Sequence, residues 1–134
     1  MLNANIKTPL YYTLTADGTP HPVDVLEWAK AFEGTDRVVR RTRINRILIS
    51  TVFLGLDHSW GEGAPVLWET MVFGGRTDGD MYRYQSEAAA IHQHEIVTNQ
   101  IRRRFRKKHL HPLDQAALGV YRSTAINRAA SLLA

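Results

Sequence analysis

Apolar residues recur at two different periods along this chain, and the change of period divides it into elements. In "PVDVLEWAKAFEG", Val25, Trp28, Ala29 and Phe32 are spaced by three and four, which predicts a helix over 22–33 with one apolar face. Pro22 suits the first turn of that helix and Gly34 its end. Before it, "LYYTLTADGTPHP" reads as a short strand and a turn. From Arg37 to Leu56 the composition shifts to Val, Ile, Thr and Phe, which gives one long strand or two joined ones. Its first part alternates Val38, Thr42 and Ile44 with Val39, Arg41 and Arg43, so one face should be wetter. "ILISTVFLGL" is apolar on both alternating faces and should lie centrally, covered on both sides. Gly55 marks a bulge or a close backbone approach.

"PVLWETMVFGG" is a second strong strand, ended by Gly74-Gly75. A longer loop of turn-forming residues separates it from the first, and an antiparallel hairpin is the natural connection. "RTDGDMYRYQS" adds an Asp-Gly turn and a short edge strand at Met81 to Tyr84, after which Ser86 is a helix N-cap with Glu87 at the positive end. Ala90, His94, Val97, Ile101 and Phe105 then recur at helical spacing until Pro112 breaks the pattern. A last helix is expected from Pro112 to Ala134, with Leu113, Ala117, Val120 and Thr124 on one stripe and Gly119 as a weak point.

These elements predict an α+β fold: an antiparallel sheet centred on a hairpin of about 37–56 and 65–73, packed with two to three helices. Residues 1–100 form the core domain. Residues 101–134, a basic segment and a helix, belong to it or extend it. The length of 134 residues suits a single domain with a real core. There is no internal repeat.

Charge changes the picture more than composition does. Of 17 Lys and Arg residues, five lie in "RVVRRTRINR" and six in "RRRFRKK", within a net charge of +4. Such blocks are either solvated faces of ordinary elements or attractors of phosphates and acidic surfaces. The candidate anion-binding residues are Arg40, Arg41, Arg43, Arg102, Arg103, Arg104, Arg106, Lys107 and Lys108. The partners expected for them are nucleic acid, an anionic nucleotide or an acidic host protein surface. The chain matches none of the nucleic-acid motifs: no RNP sequence, zinc finger or clear helix-turn-helix. Without cysteine it can form no disulfide or thiolate metal site. With no long apolar run and no basic-then-apolar N-terminus, a cytoplasmic protein without a membrane partner is expected.

Candidate catalytic chemistry is confined to "GLDHSWGEGAP" and the strand after it. Asp57, His58 and Glu69, with Glu62 nearby, are residue types that act as acid, base or metal ligand. Asp and Gly are also turn formers, and the spacing fits no metal signature. Glu69 lies on one strand face beside Leu67, Met71 and Phe73, where a carboxylate needs a partner, either an arginine or a backbone donor. His92 and His94 fall on different helix faces, which suits no shared metal. His94, on the apolar stripe, is read as a satisfied core histidine. His109 and His111 join a metal site only if another ligand comes near. No metal and no cofactor is expected.

The blocks "TPHPVDVLEWAKAFEGTDRVVRRTRI", "ISTVFLGLDHSWGEGAPVLWETMVFGG" and "YRYQSEAAAIHQHE" together resemble a family of small proteins encoded by bacteriophages and prophages. The likeness covers roughly residues 19–95 and leaves out the basic tail. It implies a phage origin and names no reaction. The expected function is therefore that of a non-enzymatic phage protein binding an anionic partner in the host cytoplasm, with counter-defence as one version. The alternatives are a small hydrolase or nuclease using Asp57, His58 and Glu69, and an assembly component of the phage particle. Self-association is expected from the last helix and the apolar end "SLLA".

Overall fold

Six of the seven residues of Ile47–Phe53 are buried, and the rest of the sheet is built outward from this strand. The computed structural model describes residues 9–60 and 62–119. In chain order the elements are β1 (Tyr11–Leu14), β2 (Pro20–Val23), α1 (Val25–Phe32), β3 (Val38–Ile44), β4 (Ile47–Phe53), β5 (Trp68–Phe73), β6 (Met81–Tyr84), α2 (Glu87–Arg104) and α3 (Pro112–Ala116). Strands β3-β4-β5-β6 form one antiparallel sheet in that order, and β1 and β2 form a separate pair. The fold is α+β, and the expected long hairpin is the β4–β5 pair, with Ser50 opposite Met71 and Thr51 opposite Thr70.

Alternation along β4 separates two sheet faces. Ile47, Ile49, Thr51 and Phe53 point toward α2, which lies across the sheet and buries Ala90, His94, Val97, Thr98 and Ile101. Each such apolar side chain removed from water stabilises the fold by about 1.5–3 kcal/mol. Two clusters result. One gathers Ile47, Ile49, Val72, Val97, Ile101 and Ala117, with Ile44, Tyr82 and Phe105 at its edge. The other joins Tyr12, Phe53, Leu67, Trp68 and Ala90, with Phe32, Val39 and Tyr84 packed on it. On the opposite face Leu48 and Ser50 are buried as well.

The segment 37–56 resolves into two strands at Asn45-Arg46, a two-residue turn in which Asn45 takes φ 53, a value Asn tolerates better than most side chains. A register shift between Val38 and Arg40 corrects the simple alternation. It sets Val38 opposite Val52, turns Val39 to the Tyr12–Trp68 cluster, and leaves Arg41 and Arg43 as the wet positions.

Pro22 corrects the expected helix start. It lies in β2 opposite Tyr12, where a residue without an N–H is tolerated because the pair is an edge. The helix begins at Val25, since Asp24 is the N-cap and its carboxylate accepts from the Glu27 N–H at 2.9 Å. No residue of α1 is fully buried. It is held by an aromatic chain that runs from Tyr11 through Trp28, Phe32 and Phe53 to Trp68, with centroids 5.1–5.9 Å apart. Gly55 is the close approach, at φ +67. A Cβ there would lie 2.6 Å from the Tyr12 carbonyl oxygen and 2.7 Å from the Phe32 and Trp28 rings.

The last helix is shorter than expected. α3 ends at Ala116, and Gly119 at φ +105 breaks helical geometry. Ala117 is in the core but Leu113 is exposed. Val120, Thr124 and the "SLLA" end lie outside the described residues. Ile101 and Ala117 share a cluster with Ile47, so residues 101–119 pack as part of the same core.

Candidate anion-binding pole and the Asp57–His58 loop

The two basic segments meet because their ends pack on the same hydrophobic residues. Ile44 and Ile47 flank the β3–β4 turn, Ile101 and Phe105 end α2, and all four join the cluster that contains Ala117. The Arg46 N–H donates to the Ala117 carbonyl at 2.8 Å, tying the turn to the segment after α3. Arg102, Arg103, Arg106, Lys107 and Lys108 are exposed at the end of α2. Arg43 and Arg46 are exposed at the neighbouring turn, and Arg76 is exposed on the β5–β6 loop. Cations in the last helical turn also oppose the negative end of the helix dipole, so a structural role for some of them coexists with binding.

Three of the nine expected residues have acidic partners within the chain. Arg104 turns inward: its Nη2 donates to Thr77 Oγ1 at 2.9 Å, and its Nη1 lies 3.8 Å from Asp114 Oδ1. Asp114 is 1% exposed and its Oδ1 also accepts from the Arg76 N–H at 2.8 Å. Gly75 makes room for that carboxylate, since a Cβ would come within 2.8 Å of it. Arg40 pairs with Glu95 on α2. Arg41, on the other sheet face, lies 3.9 Å from Asp36. Arg46 and Arg76 were absent from the candidate set, and each sits at a turn signal, beside Asn45 and after Gly74-Gly75. An open depression of about 400 Å³ beside Arg46 is lined by Gly74, Gly75, Asp78, Leu113 and Ala117. Asp78 Oδ1 is occupied by the Gly74 N–H at 2.7 Å.

Asp57, His58 and Glu69 do come to one neighbourhood. Asp57 is buried, and its Oδ1 accepts from the N–H groups of Ser59 at 2.8 Å and Val66 at 2.9 Å, clamping the two ends of the loop together. Glu69 accepts from Arg83 Nε at 3.0 Å across the β5–β6 register, which is the arginine partner its position required. Asp57, His58, Ser59, Trp60 and Arg83 line a pocket of about 290 Å³. Burial lowers the His58 pKa, and Arg83 adds to this against the opposing pull of Glu69 and Asp57. A neutral imidazole there has the right form for a general base, while Asp57 and Glu69 are engaged in holding the loop and the strand pair.

His94 is the satisfied core histidine. Its Nε2 is 2.8 Å from Thr42 Oγ1, its Nδ1 is 2.7 Å from Thr51 Oγ1, and Thr51 lies 2.6 Å from Thr70 Oγ1. A polar line thus crosses β3, β4 and β5 beneath α2. The sequence signal was three threonines at inward-facing positions of adjacent strands. Burial, followed by the Arg40 charge, lowers the His94 pKa despite Glu95. His111 caps α3, accepting from the Leu113 N–H at 3.2 Å. Among the described residues no group of three or more His, Cys, Asp or Glu side chains is placed to hold a metal ion. No helix among them is long and apolar enough to cross a membrane. Set against models of protein families, curated proteins and solved structures, the chain matches none of them.

Proposed function

We propose that this protein binds a phosphate-rich polyanion, in the first place nucleic acid, through the pole where the end of α2 meets the β3–β4 turn. The observation that carries this reading is the convergence of two basic segments, more than fifty residues apart in the chain, on one hydrophobic cluster. Arg43, Arg46, Arg76, Arg102, Arg103, Arg106, Lys107 and Lys108 are exposed around it. The nearby carboxylates Asp78 and Asp114 are engaged by backbone N–H groups. Guanidinium groups on short structural elements grip phosphates without reading bases, so the affinity is non-specific and falls with salt. The binding is non-enzymatic. The resemblance to phage proteins supports a role in the host cytoplasm, in which sequestering nucleic acid or a nucleotide signal would serve counter-defence.

A hydrolytic reading has one observation in its favour, the pocket that places His58 beside Arg83. It assigns His58 as base, with Asp57 and Glu69 in support.

Native mass spectrometry at low salt, with nucleotides, RNA and DNA offered in turn, separates the readings. Retained nucleic acid that is lost on neutralising Arg102, Arg103 and Arg106 supports the binding reading. Cleaved product that disappears in His58→Ala supports the hydrolytic one.

A further inference from the structure

The depression beside Arg46 has a lining that a phosphate grip alone does not call for. Its volume of about 400 Å³ lies in the range of small-ligand pockets, about 300–1,000 Å³. Gly74 and Gly75 line it with bare peptide, seated so closely that a Cβ would come 3.0 Å from the Arg46 carbonyl oxygen at the first and 2.6 Å from Ile47 Cδ1 at the second. Leu113 and Ala116, three residues apart on α3 and both exposed, give it an apolar wall. Two exposed side chains of opposite charge, Arg46 and Asp78, complete the lining, and the ion pairs formed among the described residues join other partners. The Gly74 N–H donates to Asp78 Oδ1 at 2.7 Å and so holds the carboxylate in place. A carboxylate has about four acceptor positions, so this one donor leaves most of them open. Within a basic pole such a group opposes a phosphate, whereas it suits a ligand part that donates hydrogen bonds.

We propose that this depression takes an unpaired guanine base, read by Asp78 and Arg46. The inference rests on the reading of the pole as a nucleic-acid grip and adds to it a choice of base. Guanine alone among the common bases carries two adjacent donors, N1–H and the N2 amine, that match a carboxylate, together with the O6 and N7 acceptors that match a guanidinium. Adenine turns its N1 lone pair toward the carboxylate and is repelled. The planar ring lies between the glycine peptides and the Leu113–Ala116 wall, and the phosphates on either side of it meet the exposed arginines of the pole. In a duplex the N1 and N2 donors are already spent on cytosine, so the pole grips duplex without choice and the depression acts only on single strands or free nucleotides.

The test uses labelled DNA heptamers that carry one guanine, hypoxanthine or adenine between two runs of three thymines, with binding to the whole chain read by fluorescence anisotropy at low salt. The guanine heptamer should bind about tenfold or more tightly than the adenine one, with hypoxanthine, which lacks the N2 amine, between them. Asp78→Asn should remove this preference while binding the adenine heptamer no more weakly than the wild type does. Ala116→Gln, at an exposed helix position, fills the depression and should remove the preference too, which decides the matter even where Asp78→Asn fails to fold. A guanine preference that persists in a folded variant of either kind overturns the proposal. Equal binding of the three heptamers, lost on neutralising Arg102, Arg103 and Arg106, overturns the guanine pocket and leaves the pole standing. Absence of binding by every heptamer overturns both.

Discussion

His94 is fully buried with both ring nitrogens within hydrogen-bond distance of threonine hydroxyls, so a charge there is taken out of water beside Arg40. Its pKa is lowered from the ordinary imidazole value of 6.5. In the unfolded chain the same residue takes up a proton as pH falls through that value, so the unfolded state binds more protons and stability falls with it. The loss begins near pH 6.5 and levels off below the folded pKa. Urea unfolding at pH 7.5, 6.0 and 5.0 should show this decline, and His94→Asn should be less stable at pH 7.5 but flatter below it. An unchanged slope in the variant would remove His94 as the cause, leaving His58, which burial lowers in the same direction. Glu69 is the second residue with a clear expectation. Its side chain is 14% exposed and paired with Arg83, so Glu69→Ala should lower the melting temperature by an amount corresponding to about 1 kcal/mol. An unchanged melting temperature would mean that the pair is not structural. The partner requirement of Glu69 was readable from alternation alone, but the identity of Arg83 was not, because it depends on which residue of the next strand falls opposite.

At the scale of elements, apolar patterning located the strands and helices well where burial is heavy. Ile47–Phe53 is buried at all but one position and Trp68–Phe73 at alternate positions, where α2 and the neighbouring strands cover them. Patterning failed where a local hydrogen bond decides the boundary. Pro22 and Asp24 are two residues apart, and the Asp24 cap sets the helix start that proline alone suggested earlier. Asp114 was invisible for another reason. Its partners, the Arg76 N–H and Arg104, lie 38 and ten residues away in the chain, and nothing local marks it as buried. It pins α3 to the β5–β6 loop and to the end of α2. Asp114→Ala leaves Arg104 at 12% side-chain exposure facing an empty site, and breaking such a buried pair costs about 3–5 kcal/mol. Thermal unfolding of Asp114→Ala should show a large drop. A drop no greater than that of Glu69→Ala would show that α3 is not anchored by this carboxylate.

Across the whole molecule, the basic blocks were plain in composition, while their meeting at one pole was not, since it follows from α2 crossing the sheet toward the β3–β4 turn. The fold also sorted the arginines. Arg40 and Arg104 are drawn into ion pairs with α2 and α3, whereas Arg46 and Arg76 are added to the exposed set by turns. The electrostatic account rests on the side chains that remain exposed. The most direct test is the salt dependence of binding to a short DNA duplex, read as the slope of log K against log salt for the wild type and for Arg102→Gln/Arg103→Gln/Arg106→Gln. Each phosphate contact contributes about 0.9 to that slope. The account predicts tight binding at low salt, with a steep slope that falls by about two to three in the triple variant. Absence of binding at low salt, or the same slope in both proteins, would contradict it.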